Sequence, residues 1–207
     1  MNEIVRAQRP ARLPVVLSRD EVSSLLSQLR GPVWLMASLM YGAGLRLLEC
    51  VELRVKDVNF DRGDVTIRDG KGGKDRVTML PASLKAPLAN HLHRVKAQHD
   101  ADLAAGRGGV ALPGSLRTKY PNAPFEWAWQ WVFPATRFYV DRETHERRRH
   151  HLHESVLQRT VKDAARAAGI SRPATPHSLR HYLPSLTMSR PSVLASFWAN
   201  ARKTVPT

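Results

Sequence analysis

The first clear pattern along the chain is helical. Val22, Leu25, Leu26 and Leu29 recur at steps of three and four behind Ser18-Arg19-Asp20-Glu21, a hydroxyl followed three positions later by a carboxylate. In that arrangement each side chain accepts from the other's free backbone N–H, so Ser18 is the expected N-cap of a first helix. Gly31-Pro32 breaks the chain, and Val33 to Tyr41 is so uniformly apolar that a helix there has no solvent face and must lie in the core. Gly42 and Gly44 are expected to end it. A third, short helix starts near Leu45 and carries Leu47, Leu48, Val51 and Leu53.

The period then changes. Val58, Phe60, Val65, Ile67, Val77, Met79 and Leu80 alternate with polar residues, with turns at Asp61-Arg62-Gly63 and Asp69 to Asp75. This predicts a small antiparallel sheet. A helix from about Ser83 to Ala104 follows, ending in the cluster of glycines that runs to Gly109. From Leu112 to Arg149 the chain has no regular period, is rich in Trp and Pro, and is strongly basic at its end. Helical spacing resumes from about Glu154 to Ala168, closed by Gly169. Thr175-Pro176 opens the last clear helix, as N-cap and first helical residue. The expected fold class is mainly α with a small antiparallel β-sheet (α+β). Residues 1–17, where Arg6, Arg9 and Arg12 mix with Pro10 and Pro14, read as a basic arm with little to bury, and residues 182–207 as an atypical Pro- and Ser-rich tail.

Composition narrows the partners. Among 207 residues, 32 Lys and Arg face 18 Asp and Glu, a formal charge of +14. Such a charge self-repels in a compact chain unless a polyanion neutralises it, so nucleic acid is the expected partner. No stretch combines an apolar face with a basic one as membrane-surface binding requires, and no apolar run approaches a span. The single cysteine, Cys50, cannot close a disulfide within the chain. A cytoplasmic location fits these features.

Three motifs carry candidate chemistry. His177-Ser178-Leu179-Arg180 puts an imidazole and a guanidinium three residues apart on one helix face, near free N–H groups that favour an anion. Either they grip one phosphate or they are two basic residues on a capped surface helix. Gly42-Ala43-Gly44-Leu45-Arg46 lacks the third glycine of a dinucleotide fingerprint and the Lys of a Walker loop. It places Arg46 at a helix start, either as a two-pronged phosphate grip or as the partner of Glu49 or Glu52. Gly70-Lys71-Gly72-Gly73-Lys74-Asp75-Arg76 is a glycine-rich hairpin tip with three cations. It is either a close approach to a DNA backbone or a solvated loop.

Taken in order, G-A-G-L-R-L-x-E, then G-K-G-x-K-D-R, then T-P-H-x-L-R-H resembles the box order of the tyrosine recombinases over about Leu13 to His181. The stretch between the second and third boxes, A-L-P-G-S-L-R-T-K-Y-P-N-A, W-A-W-Q-W-V-F-P and R-R-R-H-H-L-H, is similar to the insertion of integron integrases, here at about 112–151. The resemblance implies a recombinase catalytic domain over 18–181, acting on DNA through a 3′-phosphotyrosyl intermediate without metal or other cofactor. It implies that Arg46 and Arg180 clamp the scissile phosphate, Lys71 protonates the leaving 5′-oxygen and His177 assists. It implies DNA contacts from Lys74, Arg76, Lys119, Trp129, His150 and His151 to a folded single-stranded or duplex site, and a homo-oligomer on that DNA. Trp127, Trp129 and Trp131 alternate, so an extended segment would show all three on one face, for base stacking or as the insertion's own core. Four histidines, His145, His150, His151 and His153, stand near one another without a cysteine, a poor zinc set.

The sequence also departs from that family. No helical DNA-clasping domain is visible before Ser18, and after His181 there is no Gly-His pair. The one tyrosine beyond Arg180 is Tyr182, two residues along the helix and so off the face of His177 and Arg180. The expectation is a catalytic domain truncated at both ends, with an out-of-frame or disordered tail from 182 and no nucleophile. The alternative is a non-catalytic nucleic-acid-binding remnant that occupies sites or pairs with intact integrase.

Overall fold

The computed structural model describes residues 15–68, 74–112, 116–142 and 144–180. Helix α1 (Arg19–Ser27) starts as its sequence dictates: Ser18 Oγ accepts from the Glu21 N–H, and the Glu21 carboxylate accepts from the Ser18 N–H at 2.7 Å. Helix α2 (Gly31–Ala43) is the centre of the molecule, with every residue from Leu35 to Tyr41 buried. Gly44 ends it in a left-handed conformation (φ +68°), the C-cap geometry that favours glycine. Gly42, expected to share that role, lies inside the last turn instead. A Cβ there would stand 2.7 Å from Pro81 Cγ, so its use is to let the chain cross closely. Helix α3 (Leu47–Val51) follows at once.

Strands β1 (Val58–Asn59), β2 (Asp64–Ile67) and β3 (Arg76–Met79) form the expected antiparallel sheet in that order, with Val65 opposite Thr78 and Ile67 opposite Arg76. The alternation marks β3 as a strand without fixing which face is covered. Val77 and Met79 are 59% and 71% exposed, while Arg76 and Thr78 turn inward. The cause is what lies beneath: the C-terminal turn of α2, whose last carbonyls have no helical partner. Thr78 Oγ1 donates to Ala43 O at 2.8 Å, and Arg76 reaches Gly44 O.

Helix α4 (Ala82–Ala104) buries a stripe that is partly polar, including His91, His99 and Asp102. These side chains hold the segment after it. His91 Nε2–H donates to Val132 O at 2.7 Å and its ring stacks on Phe133. His99 Nε2–H donates to Phe125 O at 3.0 Å, and Asp102 takes a two-pronged ion pair from Arg149.

That segment corrects the expectation of an irregular stretch. It contains α5 (Leu116–Lys119), 3-10 turns at Ala123–Phe125 and Trp127–Trp129, and an antiparallel hairpin of β4 (Pro134–Val140) and β5 (Arg147–His151). The second strand reads Arg-Arg-Arg-His-His, a composition that suggests a solvated charge run. Instead Arg148 is buried against Asp141 and Glu146, and Arg149 against Asp102. The 3-10 turn also removes the extended geometry that would have aligned the three tryptophans. A second correction concerns the arm: its last residue, Leu17, is fully buried, and Arg172 donates to Val16 O at 2.8 Å.

Helices α6 (Glu154–Ala167) and α7 (Pro176–Arg180) complete the fold, both packed on α2. No helix among the described residues is long and apolar enough to cross a membrane.

Burial lowers the pKa of His91, His99 and His151, against the opposing pull of the backbone carbonyls they bond. The folded state therefore holds them neutral where the unfolded chain protonates, below the ordinary value of about 6.5. Stability is full above that pH and is lost as pH falls below it, by up to about 1.4 kcal/mol per pH unit for each histidine. Thermal unfolding at pH 7.5 and 5.5 checks this (about one unit either side of the unfolded value). The wild type is expected to lose more stability on acidification than His91→Gln, and equal losses would contradict it.

Candidate functional site

The site begins at the end of α2. Gly44 turns the chain, and Arg46 is left extended as N-cap of α3 (φ −74°, ψ 161°). Glu49, in the first turn of α3, folds back on it: one carboxylate oxygen accepts the Arg46 N–H at 2.7 Å and the other accepts Arg46 Nη1 at 2.5 Å. Arg76 arrives from β3 and donates Nη2 to Glu49 Oε2 at 2.6 Å and to Gly44 O at 3.3 Å. Arg180, the last residue of α7, donates Nε to the same Gly44 carbonyl at 3.0 Å across 136 residues of sequence. Three arginines from three elements thus meet around one carbonyl and one carboxylate.

Burial raises the Glu49 pKa, but the Arg46 N–H and the Arg46 and Arg76 guanidiniums outweigh it. Its carboxyl stays below the usual range and is ionised. Burial lowers the Arg180 pKa, the neighbouring Arg46 and Arg76 lower it further, and Glu49 pulls the other way. Arginine remains charged under any such perturbation. Three guanidiniums against one carboxylate leave two positive charges uncompensated. Arg46 engages Glu49 through Nη1 alone, and Arg180 uses only Nε. Among the described residues the other donors of both forks have no hydrogen-bond partner, and both side chains are half-buried. The arrangement suits a tetrahedral oxyanion, which a planar fork can grip through two oxygens.

His177 lies exposed in α7, three residues before Arg180, and Lys74 is exposed just ahead of β3. Lys71 lies outside the described residues, as do Tyr182 and the tail.

The expected base-contacting residues form a separate surface. Lys119 is exposed, with Nζ 5.5 Å from the ring of Tyr120. Trp129 is half-buried under Lys56, whose Nζ stands 3.1 Å from the ring centroid. His150 is exposed, stacked on Trp131 and edge-on to Tyr139. His151, expected to face DNA, is buried instead: its ring meets Trp131 edge-on, and Nδ1–H donates to Leu152 O at 2.9 Å. No hydrogen bond or ion pair among the described residues joins this surface to the arginine cluster.

Four residues take a place in the structure that the sequence does not assign to them. The sequence offers Glu49 only as a partner that would compete with phosphate for Arg46; in the structure it pairs with Arg46 and Arg76 and so gathers the cluster. Arg76, expected as a DNA contact, turns toward Glu49 instead, because β3 places it opposite Ile67 on the covered side of the sheet. No sequence signal marks Arg54 or Lys56. Arg54 is buried, donates to Trp129 O and Ala111 O, and lies 3.7 Å from the Trp131 ring centroid. Burial lowers its pKa to about 10 despite Asp57 and Glu52 nearby.

Comparison with known proteins agrees with the geometry. The chain is 48% identical over 181 residues to an Integrase/recombinase of Escherichia coli, covering 87% of this chain and 54% of that protein. It is 28% identical over 186 residues to Tyrosine recombinase XerA of Pyrococcus furiosus, covering 87% of this chain and 50% of that one. The chain thus spans about half the length of the curated relatives it matches. Among solved structures, XerA recombinase superposes with a TM-score of 0.52 at 20% identity, over 98% of this chain and 62% of that one. XerH site-specific recombinase, in a post-cleavage complex with a palindromic difH substrate, gives 0.51 at 17% identity, over 95% of this chain and 52% of that one. These two likenesses establish the fold. Residues 16–190 match the Phage integrase family, and the chain belongs to that family.

Proposed function

We propose that this chain is the catalytic domain of an integron-type integrase, gripping a backbone phosphate of its DNA site in the arginine cluster. The carrying observation is that Arg46 and Arg180 meet around Gly44 and Glu49 with free donors on both forks. A phosphodiester carries one negative charge and gains a second as it passes to a five-coordinate transition state. Two uncompensated positive charges favour that state over the ground state, which is the condition for catalysis without a metal. In this reading Arg46 and Arg180 hold the non-bridging oxygens, Lys71 protonates the departing 5′-oxygen and His177 bonds the phosphate or moves a proton. Lys74, Lys119, Trp129 and His150 hold the surrounding DNA. The aromatic and basic surface of residues 112–151 favours a folded single-stranded site, where unpaired bases are available for stacking. Copies of the chain assemble on that DNA.

Within these 207 residues, Tyr182 is the one tyrosine beyond Arg180. The second element of the proposal is that the chain binds its site without cutting it. The competing reading is a non-catalytic nucleic-acid-binding remnant that occupies sites or pairs with intact integrase.

An oligonucleotide selected by the wild-type chain from a random pool of folded single strands and duplexes provides the probe. Arg46→Ala and Arg180→Ala should each weaken binding about tenfold to a hundredfold at fixed salt, the loss of a charged hydrogen-bonding fork. Unchanged affinity in both would remove the cluster from the binding site. With a nicked suicide form of that DNA, the expected result is salt-sensitive binding and no covalent adduct on a denaturing gel. An adduct would show that the chain retains a nucleophile.

A further inference from the structure

We infer that Arg76 is a positioning residue rather than a DNA contact: it occupies Glu49 so that Arg46 keeps a free fork for phosphate. The inference rests on the proposed function and assigns to Arg76 a role in that same site.

The geometry of Glu49 carries the argument. Its Oε2 already accepts the Arg46 N–H, and Arg76 Nη2 takes the same oxygen at 2.6 Å, leaving Oε1 to Arg46 Nη1. An arginine beside a carboxylate ordinarily closes on both oxygens in a two-pronged pair. Here the second oxygen is taken, so Arg46 binds through one nitrogen only. Arg76 is half-buried, like Arg46, and its guanidinium is turned toward Glu49. Its Nε is enclosed and has no partner among the described residues, and Nη2 is divided between Glu49 and Gly44 O. The same Gly44 carbonyl accepts from Arg180, so a single chain of contacts links β3, the end of α2, α3 and α7. Leaving Nε enclosed without a partner costs free energy, and the compensation is the ion pair with Glu49.

Two consequences follow from removing Arg76. The Glu49 carboxylate loses half of its compensation beside the place where a phosphate arrives, and like charges repel there. Arg46 becomes free to close on both oxygens and withdraw its fork. Both faults arise from the Glu49 charge, so both should disappear when that charge is removed as well. A residue that touches DNA, or that only holds β3 in place, has no such rescue.

The test is a double-mutant cycle, with affinity measured by fluorescence anisotropy on the selected oligonucleotide at fixed salt. Arg76→Gln should weaken binding about tenfold, and adding Glu49→Gln should restore it to within about threefold of wild type. Arg76→Lys, which keeps a charge on Glu49, should also stay within about threefold, and it serves as the readout if Arg76→Gln lacks a cooperative unfolding transition. A double variant as weak as Arg76→Gln overturns the inference, as does a tenfold loss in Arg76→Lys or no loss in Arg76→Gln. Arg46→Ala and Arg180→Ala, measured alongside, separate the two levels. If they bind like wild type, the proposed function fails; if they are weak and the rescue is absent, only the role of Arg76 fails.

Discussion

The buried carboxylate of Glu49 is the constraint on which the site depends. Three guanidiniums within one neighbourhood repel one another, and with Arg76 among them a counter-charge is needed to hold the other two in place. Glu49, with its side chain 8% exposed, is held ionised by the backbone N–H of Arg46 and by two of the three arginines. It offsets one of the three charges and fixes two of the forks. The third, Arg180, is fixed by a neutral group, the carbonyl of Gly44. That carbonyl is available because a left-handed glycine ends α2 and no further helical turn follows to use it. Charge and helix termination therefore act together: one sets how much positive potential remains, the other sets where the arginines stand.

A second set of contacts fixes the 112–151 segment to the same body. Arg54 donates to the carbonyls of Ala111 and Trp129 and lies over the ring of Trp131, Lys56 covers Trp129, and α4 contributes His91, His99 and Asp102 from its buried stripe. These are polar and cation–aromatic contacts rather than a continuous apolar seam, and each hydrogen bond pairs a buried donor with a particular acceptor. The result is a hairpin whose outer side keeps His150 exposed while His151 and two arginines point inward. The molecule thus presents two distinct basic surfaces, one built around a carboxylate and one around tryptophan.

Much of the fold was legible because helices and caps are local. The Ser18–Glu21 box, the all-apolar α2, Gly44 and the Thr175-Pro176 start were all readable within a few residues. What was not legible depended on long-range pairing. The strand Arg147–His151 looks like a solvated charge run until Asp102, Asp141 and Glu146 are brought to it, and β3 faces its polar side inward because the open end of α2 lies there. The site followed the same division. Arg46 and Arg180 stood in recognisable motifs, whereas the inward turn of Arg76 depends on the register of β3 against β2, and the task of Arg54 on a segment more than fifty residues away.

A crystal structure of the chain with its selected oligonucleotide tests the central claim most directly. The expected result is one backbone phosphate within hydrogen-bond distance of both Arg46 and Arg180, with Glu49 still held by Arg76 beneath it. A complex in which those two arginines engage different phosphates, or in which the DNA lies only on the tryptophan-rich hairpin surface, would contradict it.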